Sequence, residues 1–344
     1  MGIVKKINEL AGKSFLSTGQ YTRDTVQEIV DLGLDFKRRI CEYPTSLAGK
    51  VVGILLFNSS LRTRTSMAVA VSKLGGIPLV LDMANGVWPI ETELGIVMDG
   101  DRPEHIKEAI PVISSYVDVL GVRCFPQLKN YDTDRLDPIL NMIDQLSSVP
   151  VINLESACFH PMQSLADLMT IRELGREPSK VKVVLTWANH PRVLPMAVPN
   201  SFALACSQYG VDLTLACPKG YELDEMLMTQ IEKNCQDNNT EFSIDHRQDH
   251  ALSGAHVVYA KSWGSISSYG KHEEEIANRA NLSNWMINTQ KMSQTDDGIF
   301  MHCLPVRRNV IVSDEVIDGP QSRVLDQAKN RLYGQMAVLH NIIK

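Results

Sequence analysis

The stretch VVGILLFNSSLRTRTSMAV, residues 51–69, changes character halfway along. Its first seven residues form an unbroken apolar run of the length of a buried strand. From Arg62 onward, RTRTSMAVAVSKLG (62–75) spaces its apolar residues as a helix does. A strand that passes straight into a helix is the opening of a parallel-sheet crossover, so the intervening NSSL sits at the carboxyl end of a strand. The first N–H groups of such a helix lack intrahelical partners, and the helix dipole favours an anion beside them. Ser60 and Thr63 add hydroxyls, while Arg62 and Arg64 add guanidiniums able to fork onto a phosphate. A capping serine followed by solvated arginines would spell the same letters.

The same alternation continues along the chain. A helix is predicted over 22–40, then a strand over 77–83, a helix over 103–117 and strands over 118–125 and 149–156. A helix over 160–175 opens a second series, with strands near 181–187, 211–217, 256–263 and 298–306 and a closing helix over 328–344. The expected fold class is α/β: two parallel-sheet α/β domains with a cleft between them. The first is expected over 1–157 and the second over 158–326, with 327–344 as a C-terminal helix packing back on the first. The hinge is expected near 155–160.

The chain has 344 residues, a formal net charge of -6, 44% hydrophobic and 22% charged residues. That is the composition of a globular protein without a broad nucleic-acid surface. No run reaches the roughly 20 apolar residues of a membrane span, and the first residues lack a signal-peptide pattern, so a cytoplasmic location is expected. Cysteines at 41, 124, 158, 206, 217, 235 and 303 form no C-x-x-C pair. They are expected to be reduced thiols, with neither disulfides nor a metal site. No cofactor is expected either.

Other groups fall at the ends of expected strands, the edge where open α/β sheets bind ligands. His160 and Gln163 in HPMQ share a helix face at i and i+3. Arg123 ends one strand, and Cys303, Leu304 and Arg307 in MHCLPVRRNV end another. Taken one at a time, His160 reads as a helix cap, Arg123 as a surface charge and Cys303 as a small core residue.

In this order, SLRTR, HPMQ and HCLP resemble the carbamoyl-phosphate signatures of the transcarbamylases, the ornithine and aspartate carbamoyltransferases. The resemblance covers essentially the whole chain. It implies that Ser60, Leu61, Arg62 and Thr63 take the phosphate and that Arg123, His160 and Gln163 address the carbamoyl group. Cys303, Leu304 and Arg331 would complete that site.

YAKSWGSIS departs from the segment with which ornithine enzymes grip a free α-amino acid. ANGVWPIE, KSWG, TWANHPR and HCLPVRRN instead resemble the branch that carbamoylates N-acylated ornithine. That implies a homotrimer in which Trp88 reaches a neighbouring subunit's carbamoyl-phosphate site, with Glu155, His190, Lys261 and Arg307 on the acylated amino acid. Read without the resemblance, Trp88 is a core aromatic, Glu155 and Lys261 are solvated charges, and His190 is a loop residue.

Acetyl-specific members of the branch carry glutamate where Pro103 stands, and succinyl-specific ones carry proline. A carboxylate there would repel the second carboxylate of a succinyl group. A proline in the first turn of the helix expected over 103–117 is the structural alternative. Acetyl-type enzymes can also carry a modified lysine where this chain has Ile311. The expected reaction is carbamoyl transfer to the δ-amine of N-succinylornithine, with N-acetylornithine as the alternative acceptor. More remote alternatives are ornithine, a dinucleotide-dependent oxidoreductase and a non-catalytic anion-binding protein. Against the oxidoreductase, no strand is followed by G-x-G-x-x-G.

Overall fold

The computed structural model describes residues 6–39 and 43–343. Cys41 and the ends of the first and last expected helices, Ile40 and Lys344, lie outside the described residues. The chain divides into two compact units. The first comprises Met1–Pro126, Arg135–Met162 and Arg331–Lys344; the second comprises Gln127–Asp134 and Gln163–Asn330.

Strands of the first unit are β1 (Val51–Leu56), β2 (Ile77–Asp82), β3 (Ile90–Glu91), β4 (Glu104–His105), β5 (Val119–Arg123) and β6 (Val151–Glu155). Four of them form a parallel sheet in the order β2-β1-β5-β6. β1, β5 and β6 are almost wholly buried, as continuous apolar runs covered on both faces should be. Leu55, Leu120 and Val122 pack with Ile106, Ile110 and Ile143 in one core cluster. Gly53 permits the close approach of β1 and β5, since a Cβ there would stand 2.9 Å from Leu120 Cδ2. The chain leaves β1 for β2 on one side and returns at β5 on the other. The order therefore reverses between β1 and β5, where Leu56 is in register with Arg123.

In the second unit, β7 (Lys182–Trp187), β8 (Asp212–Ala216), β9 (Phe242–Asp245), β10 (Val257–Lys261) and β11 (Ile299–Met301) form a parallel sheet. Its order is β11-β10-β7-β8-β9, which reverses between β7 and β10, where Trp187 is in register with Lys261.

Three local expectations change. The helix expected over 103–117 spans Ile106–Ser114, because His105 caps it by accepting from the Lys107 N–H at 3.1 Å. Glu104 and His105 pair with β3 instead, so Pro103 lies before the helix and is not a first-turn proline. The strand expected over 298–306 stops at Met301; Leu304 has φ 54°, a left-handed conformation that no ladder accommodates. β9 was not foreseen, since its four residues sit half-exposed at a sheet edge and carry no apolar run. Among the described residues no helix is long and apolar enough to cross a membrane.

The last helix runs from Val324 to Ile342. His340, 4% exposed, meets the Phe36 ring edge-on at 5.8 Å. Burial, reinforced by the Lys6 charge, pushes its imidazole down to about 4. Unfolding returns that group to about 6.5, so the unfolded chain takes up a proton that the native chain refuses. Stability should therefore decline as pH falls from about 6.5 towards 4. Urea titrations across that range should show a flatter slope for His340→Leu than for the parent.

Candidate active site

In the first unit the helix Leu61–Lys73 begins as its letters require: Ser60 caps it, with Oγ accepting from the Thr63 N–H at 3.2 Å. Leu61 is 79% exposed, so what it can offer a ligand is its backbone N–H at the first helical position, which has no acceptor in the helix. Arg62 is half-buried and Arg64 exposed. Thr63 is fully buried and turned toward two cations. Its Oγ1 accepts from Arg331 Nη2 at 2.8 Å and lies 3.5 Å from Arg123 Nη1.

The β5–β6 ladder slips one residue between Val122 and Arg123, which sets Arg123 opposite Glu155. The two side chains form a buried ion pair, and His160 Nε2 lies 3.5 Å from the same carboxylate. Arg123, Glu155 and His160 are 8%, 9% and 3% exposed, so surface arginine and solvated carboxylate are both corrected. Arg331, 3% exposed, brings a second buried guanidinium to this cluster through Thr63. Arg123 Nε is buried with no hydrogen-bond acceptor among the described residues. The cluster lies at the β1/β5 reversal, where a parallel sheet opens a ligand crevice.

Trp88 is 58% exposed, which corrects the reading of it as a core aromatic. The β3–β4 pair brings it beside the residue next to Pro103, and its Nε1 donates to Glu104 Oε2 at 2.6 Å. Sequence spacing alone does not reveal that Trp88 and Pro103 share one device.

In the second unit, His190 and Lys261 follow or end the strands at the β7/β10 reversal. Arg307 Nε donates to His190 Nε2 at 3.1 Å, which leaves the His190 proton on Nδ1, 3.0 Å from the Arg192 carbonyl. Burial, aided by the charges of Lys261, Arg307 and Arg279, lowers the His190 pKa and keeps the ring neutral. Lys261 is 8% exposed, not a solvated charge, and its ammonium donates to the Ser262 carbonyl at 3.2 Å. Gln163 donates to Asp167 at 2.8 Å; Gln327 donates to the same carboxylate and accepts from the His302 N–H. This network joins Gln163 to the segment bearing Cys303 and Leu304, both half-buried. Asp167 was detectable as the i+4 neighbour of Gln163.

Arg279 was missed, because nothing in NRANL marks it. It is 3% exposed and paired with Glu275 at 2.7 Å. Its guanidinium also donates to the carbonyls of His190, Arg192 and Trp263 and to Ser262 Oγ, clamping the two loops that follow β7 and β10.

A capping serine, a threonine and arginines gathered at the β1/β5 reversal, with an imidazole beside them, are groups able to hold a phosphate next to a carbonyl. The chain is a member of the aspartate/ornithine carbamoyltransferase family. Its carbamoyl-P binding domain model matches residues 13–173 and its Asp/Orn binding domain model matches 182–342. It is accordingly a carbamoyltransferase, and the oxidoreductase and non-catalytic readings fall away.

The chain is 39% identical over 334 residues to the N-acetylornithine carbamoyltransferase of Xanthomonas campestris pv. campestris, covering 96% of this chain and 98% of that one. It is 40% identical over 325 residues to the N-succinylornithine carbamoyltransferase of Bacteroides thetaiotaomicron, covering 93% and 97%. Both relatives lie in the N-acylornithine branch. Among solved structures, a Glu-to-Pro mutant of N-acetyl-L-ornithine transcarbamylase matches with a TM-score of 0.91 at 40% identity, covering 95% of this chain and 99% of that one.

The buried Arg279–Glu275 pair gives a direct test of the clamp. Arg279→Met should destabilise the protein by about 3–5 kcal/mol, because it leaves Glu275 buried without its cation. Adding Glu275→Gln should restore part of that loss in equilibrium denaturation.

Proposed function

We propose that this chain transfers the carbamoyl group of carbamoyl phosphate to the δ-amine of N-succinyl-L-ornithine, giving N-succinyl-L-citrulline and phosphate in arginine biosynthesis. The observation that carries the transfer chemistry is the cluster of Thr63, Arg123, Glu155, His160 and Arg331 at the β1/β5 reversal. In this reading Ser60, Leu61, Arg62, Thr63 and Arg331 hold the phosphate. Arg123, His160 and Gln163 address the carbamoyl oxygen and amide, and Cys303 and Leu304 complete that site.

The neutral δ-amine attacks the carbonyl carbon. As the new C–N bond forms, the carbon–oxygen bond to phosphate breaks, and phosphate leaves with the electron pair and accepts the surplus amine proton. Donors aimed at the developing oxyanion and at the leaving group lower the barrier most, and Arg62, Thr63, Arg123 and His160 supply them. Holding the reactants in line supplies the rest.

For the acceptor, Glu155, His190, Lys261 and Arg307 are the residues proposed to hold the acylated amino acid. Arg307, oriented by its bond to the neutral His190 ring, has further N–H groups suited to an amide oxygen or a carboxylate. The succinyl preference rests on Pro103. Its position outside the helix removes the first-turn explanation for a proline there. The Glu-to-Pro mutant of N-acetyl-L-ornithine transcarbamylase was solved with carbamyl phosphate and N-succinyl-L-norvaline, as were its Ala and Ser counterparts at the same glutamate. What those three share is the loss of a carboxylate, which agrees with the charge argument. N-acetylornithine is the second reading, favoured by equal similarity to enzymes of that name.

A homotrimer in which Trp88 serves a neighbouring subunit's site is part of the same proposal. Val87, Leu94, Val97 and Met98 are exposed with Trp88 in one segment, an apolar surface suited to association. Because β3 and β4 tie Trp88 to Glu104, Pro103 would serve that same neighbour.

Side-by-side initial rates with ornithine, N-acetylornithine and N-succinylornithine test the acceptor: the succinyl compound should give the highest kcat/KM, and a preference for either other amine overturns it. Pro103→Glu should move the preference toward N-acetylornithine. Arg62→Ala should lower kcat by about 10²–10³-fold; turnover within a few-fold of the parent would sink the phosphate assignment.

A further inference from the structure

A second group of reactive side chains lies in the second unit, and carbamoyl transfer has no use for it. Cys217 directly follows β8, Glu222 lies in the next loop, and His246 directly follows β9. Each presents one ligand atom, and the three atoms lie within 4.8 Å of one another. Cysteine spacing alone predicts no such site; the parallel pairing of β8 with β9 creates it. Ala216 is in register with Asp245, and the Cys217 N–H extends the ladder by donating to the Asp245 carbonyl at 3.1 Å.

The backbone orients two of these side chains. His246 Nδ1 lies 3.0 Å from the Cys217 carbonyl, which can only accept, so Nδ1 carries the proton and Nε2 presents a lone pair. Carbonyl-bonded Nδ1 with Nε2 outward is how metal-binding histidines are held. Glu222 Oε2 accepts from the Gly220 N–H at 2.9 Å, leaving Oε1 3.6 Å from His246 Nε2. That separation is too long for a direct hydrogen bond. A lone pair facing a carboxylate oxygen is relieved by a cation between them. Cys217 is fully buried, and burial, with the Glu222 charge, holds its thiol protonated until a metal displaces the proton.

We propose that Cys217, Glu222 and His246 form a transition-metal site of zinc type, with three protein ligands and a fourth position for water. Sulfur, imidazole and carboxylate are zinc's ligands, whereas magnesium and calcium take oxygen alone. Ligand atoms of a tetrahedral site at these bond lengths stand about 3.3–3.7 Å apart, so closure asks for roughly an ångström of movement. His246 is exposed and Glu222 half-buried, so both can supply it. On binding, the Cys217 S–H bond breaks, the thiolate sulfur donates its pair to the metal, and the proton passes to solvent.

The site would fasten a loop that also braces the segment after β10. Trp263 Nε1 donates to the Tyr221 carbonyl at 2.8 Å, and Ser265 Oγ donates to the Gly220 carbonyl at 2.6 Å. Its role is thus to stiffen a loop, and no step of the transfer passes through it.

Cobalt(II) titration of the chelator-treated full chain tests the site. The expected result is one cobalt per chain with a near-ultraviolet thiolate charge-transfer band that zinc abolishes. Cys217→Ser should lose that band. His246→Ala, at an exposed position that should leave folding intact, should lose saturable binding, and it decides the matter should Cys217→Ser fail to fold. Absence of the band in the parent overturns the proposal outright, and its survival in either variant overturns it by placing cobalt on another thiol, such as half-buried Cys158 or Cys303.

Discussion

A guanidinium buried at the end of a strand persists only if it is paired and hydrogen-bonded, and Arg123, 8% exposed at the end of β5, meets that condition. Glu155 neutralises it across the β5–β6 ladder, and Thr63 lies within reach of both Arg123 and Arg331. The pairing needs the one-residue slip in the ladder, because in-phase pairing would set Leu154 opposite the arginine. Removing either partner would strand the other charge in a poorly solvating interior. Arg123 Nε is still unmet, and an unpaired donor at that depth costs about 1–3 kcal/mol, which a ligand oxygen can recover. The cluster is therefore stable without an anion and improved by one.

Each unit uses the same topological opportunity. In an all-parallel sheet the point where strand order reverses leaves two loops diverging, with no crossover helix to fill the space between their starts. In the first unit that point gathers cations and hydroxyls. In the second it gathers a neutral imidazole, an ammonium and a guanidinium, clamped from behind by Arg279. Under the proposed function, the first set of groups takes an acyl phosphate and the second an acylated amino acid.

Much of this could be read from letters because parallel strands are buried on both faces. β1, β5, β6, β7 and β10 announce themselves as apolar runs, and the turn after β1 announces its capped helix through Ser60 and Thr63. What escaped detection has a common cause. β9 is a short edge strand without an apolar run, β3 and β4 are held by only two residue pairs, and Arg279 acts on carbonyls whose identity no sequence pattern encodes. Pro103 looked like a helix start because proline is indifferent to which neighbour takes the cap, and His105 took it.

The amino-acid order by itself determined the α/β class, the buried strands of both sheets, the family and the residues at the head of the first crossover helix, since local periodicity and capping chemistry act over a few residues. Tertiary structure alone decided which charges meet. Arg331 reaches Thr63 from 268 positions away, Arg279 clamps loops 16 to 89 positions distant, and Cys217 finds His246 through a strand pairing. Coulomb attraction and hydrogen bonding depend on separation in space, and that separation does not exist until the sheets have formed.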